Sequence, residues 1–292
     1  MSFVYAKKYN EEINGEINGE IFCRTNIFSD TKISLEGTSN CNWGAKTRKV
    51  LEKYGLIKSI IISPKCCISF AGNNIAHAHT LLSKLYDMEY FEEDKLVQTA
   101  LDIHRKAPKG EIEFIICLAD EKNSTEIICI KEGNLYRGCS SAWIGSYDAF
   151  YYLRKYQEDS ATQSESAYSA FNYAIRSCKD DSVGGFGISV VFDNNLCEFV
   201  YPERLLATYE REQKVKSRAL VKIEGTAEEG AYTAHYCESN EDVIITIEQA
   251  NITLYYTKKY RLQNEDVDNK YTKHFLLPIV IESDTGKIID IT

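Results

Sequence analysis

The first apolar stretches of the chain are short and alternate with polar positions. Residues 3–9 (FVYAKKY) and 21–28 (IFCRTNIF) predict two strands, and the tandem unit Glu-Ile-Asn-Gly at 12–15 and 16–19 lies between them. Asn-Gly suits the turns that join hairpin strands, so either copy serves as a tip. Residues 46–50 lead into a further strand. A turn at Tyr54-Gly55, a strand at 57–62, a turn at Ser63-Pro64 and a strand at 66–70 follow. After Gly72 the period changes: Ile75, Ala78, Leu81, Leu82 and Leu85 recur at three and four residues, the spacing of one helix face. A second helix is predicted over 92–106, with Leu96, Ala100 and Ile103 on one face and Pro108-Lys109-Gly110 just beyond its end. Strands are then expected at 112–119, 125–131 and 134–139, helices at 147–157 and 166–178, and a strand pair at 186–193 and 196–201.

Strands, two helices, strands, two helices, strands is an order that suits two sheets, each covering the apolar stripes of a helix pair. The fold class expected is α+β: a four-layer αββα sandwich over residues 1–202, followed by a β-rich C-terminal extension or small domain over 203–292. In that second part a charged helix at 203–216 precedes strand-like runs at 217–224, 230–237, 243–247, 251–256 and 275–281.

Composition narrows the partners. The 34 Lys and Arg against 43 Asp and Glu leave a formal charge of −9, which disfavours nucleic acid and anionic lipid because neutralising phosphates takes clustered cations. No apolar run approaches the ~18 residues that span a bilayer, and the beginning of the chain has no apolar signal core, so a soluble, cytoplasmic protein is expected. The ten cysteines include no Cys-x-x-Cys and lie mostly in apolar runs such as CCISF and FIICL, the pattern of reduced core thiols. His77 and His79 stand two apart on a helix and point to nearly opposite sides, so they do not form a chelating pair. Gly184-Gly185-Phe-Gly187 precedes a strand, which excludes a dinucleotide fingerprint, and no phosphate loop or Gly-x-Ser-x-Gly elbow is present. No metal and no cofactor is therefore expected.

Three segments carry a resemblance. IIISPKCCISFAGNNIAHAHTLLSKL (60–85) looks like the proteasome-type segment in which a strand ends in Gly and the first helix begins. EFIICLADEKNSTEIICIKEGNLYRGCSSAWIGSYDAF (113–150) resembles the next strands, with Ile144-Gly145-Ser146 where a Gly-Ser-Gly motif opens the third helix. AIRSCKDDSVGGFGISVVFDNN (174–195) is similar to the Asp-x-x-Ser-Gly-Gly turn that enters the last strand pair. Over about residues 1–201 the chain thus resembles the proteasome β-subunit and its bacterial relatives, within the N-terminal-nucleophile (Ntn) hydrolase fold.

The resemblance implies peptide-bond cleavage by the hydroxyl of the mature first residue, whose α-amine accepts the proton. An ordinary α-amino pKa of about 7.7–8.0 suits that role, and a buried lysine beside an aspartate tunes it. Carried onto this chain, the nucleophile is Ser2 after removal of Met1; the alternative is an ordinary Met-Ser start on an edge strand. Asp30 falls where the family has its aspartate, or is a turn residue. Counting back from the Lys-x-Arg-Lys-Val run puts Gly44 at the lysine position; Lys46, two residues on, shares that strand face. Ser146 takes the place of the serine that helps hold the amine, followed by Tyr where the family has Gly, or else caps a helix. Asp180 matches the aspartate of the last turn, with Val183 where the serine belongs and Ser182 one place early. Backbone amides of the Asn40–Ala45 segment would be the oxyanion donors. The resemblance further implies a homo-oligomer, a ring or stacked assembly enclosing a peptide or protein substrate. The competing reading is a catalytically silent member of the fold acting as scaffold or recognition module, suggested by Gly44, Val183 and the extension.

Overall fold

A computed structural model describes residues 2–11, 22–32, 56–86, 92–159, 167–185 and 187–201, together with 220–224, 231–236, 243–247, 252–256, 279–282, 285 and 288–289 toward the C-terminus. The chain divides into two compact units: Met1–Thr31 with Lys58–Val200, and Lys32–Ile57 with Tyr201–Thr292.

Among its described residues the first unit is mixed α/β, with two five-stranded antiparallel sheets and four helices. One sheet has the order β10-β9-β2-β1-β8, built from β1 (Phe3–Glu11), β2 (Phe22–Asp30), β8 (Ser141–Gly145), β9 (Gly187–Asp193) and β10 (Glu198–Val200). The other runs β3-β4-β5-β6-β7, from β3 (Ser59–Ser63), β4 (Cys66–Ala71), β5 (Glu113–Ala119), β6 (Thr125–Lys131) and β7 (Asn134–Tyr136). The sheets touch through β1 with β4, β3 with β9, and β8 with β4, β5 and β6. Helices α1 (Ile75–Tyr86) and α2 (Glu93–Lys106) precede β5, and α2 packs on β5 and β6. Helices α3 (Tyr147–Asp159) and α4 (Ala167–Ser177) pack together, and α4 covers β2 and β9.

Burial explains why the central strands read as apolar runs and not as clean alternation. Cys66–Ala71 is buried at every position, as is Gly187–Phe192; β4 meets β1 and β8 of the other sheet, and β9 lies between β3 of the other sheet and α4. Cys66, Cys67, Cys117 and Cys129 are buried free thiols there, and burial pushes all four above the ordinary thiol range. In α2, Leu96, Val97, Ala100, Leu101 and Ile103 form the buried stripe, while Glu93 and Asp94 in the first turn and His104, Arg105 and Lys106 in the last complement the helix dipole. Phe171 of α4 stacks on Phe3 at 5.2 Å and on Phe28 at 5.6 Å between ring centroids, which holds the start of β1 under the helix.

Strand β8 departs from the sequence reading, which passed from 139 directly to a helix at 147. SAWIG has little intrinsic strand signal, yet Phe3 pairs with Gly145, Val4 with Ile144 and Tyr5 with Trp143. Pairing with a distant strand makes it one. The predicted strand at 46–50, the helix at 203–216 and the Glu-Ile-Asn-Gly tip lie outside the described residues. The second unit includes an antiparallel meander in chain order: β11 (Leu220–Glu224), β12 (Ala231–Tyr236), β13 (Val243–Ile247), β14 (Ile252–Tyr256), β15 (Ile279–Glu282) and β16 (Ile288–Ile289). Among the described residues no helix is long and apolar enough to cross a membrane.

Candidate active site at the start of strand β1

Asp30, the last residue of β2, lies across from the first residues of β1. Its Oδ1 accepts the backbone N–H of Phe3 at 2.8 Å and the Lys58 ammonium at 2.7 Å, and its Oδ2 accepts the N–H of Gly184 at 3.2 Å. Both side chains of the Asp30–Lys58 pair are 0% exposed. A buried ion pair is tolerable only when further hydrogen bonds complete it, and the two amides do so for the carboxylate. Lys58 is held just ahead of β3 by its own carbonyl, which accepts the N–H of Phe70 on β4 at 3.0 Å.

Ser2 itself is 7% exposed. Its carbonyl accepts the N–H of Ser146 at 2.8 Å, so the chain entering β1 is tied to the turn between β8 and α3. Gly145 makes that turn possible. Its φ is +87°, and a Cβ built there would stand 1.9 Å from the Ser2 carbonyl oxygen. Ser146 is buried, its carbonyl accepts the N–H of Phe150 at 3.3 Å at the opening of α3, and its hydroxyl lies 3.8 Å from the Cys178 sulfur. Burial is also the main reason the Cys178 thiol titrates above its ordinary value.

Asp180 follows α4. Its Oδ1 accepts the Ser182 N–H at 3.0 Å and the Ser182 hydroxyl. Burial works to raise its pKa, but the Ser182 hydroxyl and amide, the Ser146 hydroxyl and the positive amino end of the chain outweigh it and hold the carboxyl below the usual range. A carboxylate depressed in this way adds stability above its unfolded pKa and loses that contribution as pH falls through its folded value, so the contribution is present at neutral pH and fades only in acid. Ser182→Ala is expected to move the Asp180 titration upward toward the ordinary carboxylate value, read from its carboxyl carbon by NMR; an unmoved titration would assign the depression elsewhere. The hydroxyl one place early in the Asp-x-x-Ser-Gly-Gly pattern thus meets Asp180, while Val183 is buried.

The structure brings Ser2, Asp30 and Ser146 into one hydrogen-bonded neighbourhood, with Asp180 at its edge through Ser146. Lys46 and the Asn40–Ala45 amides lie outside the described residues. The lysine that meets Asp30 is Lys58, which residue counting passed over in favour of Lys46. A signal for it was present: Lys58 stands inside LIKSIII, an apolar run where a lone cation needs a buried partner. His77, outside the site, pairs through Nε2 with Glu111 at 2.7 Å.

No model of a known protein family matches the chain, and neither does any curated protein.

Proposed function

We propose that this protein is a proteasome-β-like peptidase of the Ntn type, with the four-layer αββα fold of that class and Ser2 as its nucleophile. The observation that carries the reading is the fully buried Lys58–Asp30 pair, bonded to the amide of the residue that follows Ser2. A cation held there disfavours protonation of a nearby amine, so an α-amine freed by cleavage on the amino side of Ser2 would stay a competent base near neutral pH. Ser2 Oγ attacks the carbonyl carbon of a peptide bond while its proton passes to that amine. The C–N bond breaks, the departing amine takes the proton, and water then hydrolyses the Ser2 ester and restores the hydroxyl. Ser146 would steady the nucleophile by holding the Ser2 carbonyl, and Asp180 by facing the Ser146 hydroxyl. A homo-oligomer with a peptide or protein substrate belongs to the same proposal.

Intact mass and turnover of fluorogenic peptides test it. The active species is expected to begin at Ser2, and Ser2→Ala is expected to abolish turnover while leaving the fold unchanged by circular dichroism. A chain that keeps residues ahead of Ser2, or a Ser2→Ala variant as fast as the parent, would leave the silent scaffold as the better reading.

A further inference from the structure

Glu113, the first residue of β5, extends its side chain to the turn that holds Ser2: its Oε2 accepts the N–H of Gly145 at 3.0 Å. Gly145 cannot be replaced locally as a spacer, since the Ser2 carbonyl occupies the place of a Cβ, and the next amide, Ser146 N–H, donates to that same carbonyl at 2.8 Å. One carboxylate therefore pins the peptide whose neighbour pins Ser2. A charged acceptor makes this hydrogen bond stronger than a neutral one would be. The Lys131 ammonium lies 3.0 Å from the centroid of the Trp143 ring, Trp143 stacks on Phe150 at 4.5 Å, and the Glu113 charge supports the Lys131 cation against its burial. The two sheets thus meet at a bond that no local pattern requires, at the residue on which the nucleophile rests.

We infer that Glu113 is a positioning residue for Ser2, acting through the Gly145 amide on the orientation of the nucleophile. The inference rests on the peptidase reading above, because orientation matters to rate only if Ser2 reacts.

Its test uses the full chain and three measurements. Glu113→Ala is expected to lower kcat about tenfold at nearly unchanged KM, since a part-buried amide loses its charged partner and the serine its fixed geometry. Glu113→Gln keeps an acceptor oxygen at the same reach and is expected to recover most of that loss. Hydrogen exchange of the Gly145 amide should quicken in Glu113→Ala and stay close to the parent in Glu113→Gln. Ser2-dependent turnover with an unchanged kcat in Glu113→Ala, or a Gln variant as slow as the Ala variant, overturns the inference and leaves the peptidase reading standing. Absence of any Ser2-dependent turnover in the parent overturns both, whatever the exchange data show.

Discussion

Lys58→Met is expected to destabilise the protein by about 3–5 kcal/mol, because it leaves the Asp30 carboxylate buried without its cation. The Phe3 and Gly184 amides remain bonded to Asp30 and place the cost toward the lower end. Asp30→Asn takes the carboxylate charge away from the buried Lys58 ammonium and is expected to destabilise as well, while its side-chain oxygen still serves the Phe3 N–H. The double variant Asp30→Asn/Lys58→Met removes both charges, so its loss should fall short of the sum of the singles by about 1–3 kcal/mol. Urea denaturation of the four proteins measures this cycle. Additive losses would mean that the two groups do not couple, against the 2.7 Å contact. The double variant is also informative for function: a fold recovered in stability but without Ser2-dependent turnover would show that the pair is kept for the chemistry of the amine.

Gly145→Ala is the second large effect. The left-handed φ of +87° alone costs a non-glycine residue about 1–2 kcal/mol. The new methyl would overlap the Ser2 carbonyl oxygen at 1.9 Å and press on the Ala71 Cβ at 3.0 Å, and such overpacking typically adds about 1–3 kcal/mol. Backbone cannot yield as a flexible side chain would, so either Ser2 is pushed out of its hydrogen bond with Ser146 or β8 parts from β1. Thermal denaturation should show the loss of stability. On the proposed peptidase reading, turnover in the surviving folded fraction should fall on the order of a hundredfold, as expected for a nucleophile displaced by about an ångström. A Gly145→Ala protein of parental stability would mean that the turn adjusts, and with it the contact that Glu113 is argued to control.

Much of the described fold was legible before any coordinates. The spacing of Ile75, Ala78, Leu81, Leu82 and Leu85 predicted a helix over the residues of α1, and the stripe of Leu96, Ala100 and Ile103 predicted α2 to within one residue. Strands 125–131 and 243–247 coincide with β6 and β13. These elements announce themselves because a helix or strand with one covered face must repeat its apolar residues at 3.6 or 2.0 positions, a constraint met within a dozen residues. At the candidate site, Ser2, Asp30 and Ser146 were singled out in advance and stand together. Lys58 was not, because the count to the lysine was anchored on the Lys-x-Arg-Lys-Val run at 46–50, which led back to Gly44 and Lys46 and away from the apolar run that holds Lys58.

The alternation and spacing of side chains settled which segments become helices and strands, since backbone geometry imposes those periods locally. They could not decide that Ser141–Gly145 joins β1, that Lys58 serves Asp30, or that the Glu113 carboxylate reaches Gly145. Each of those depends on residues 28 or more positions apart meeting at one place, and the stabilisation comes from pairing a strand edge, a buried charge or a lone amide with whatever the fold delivers.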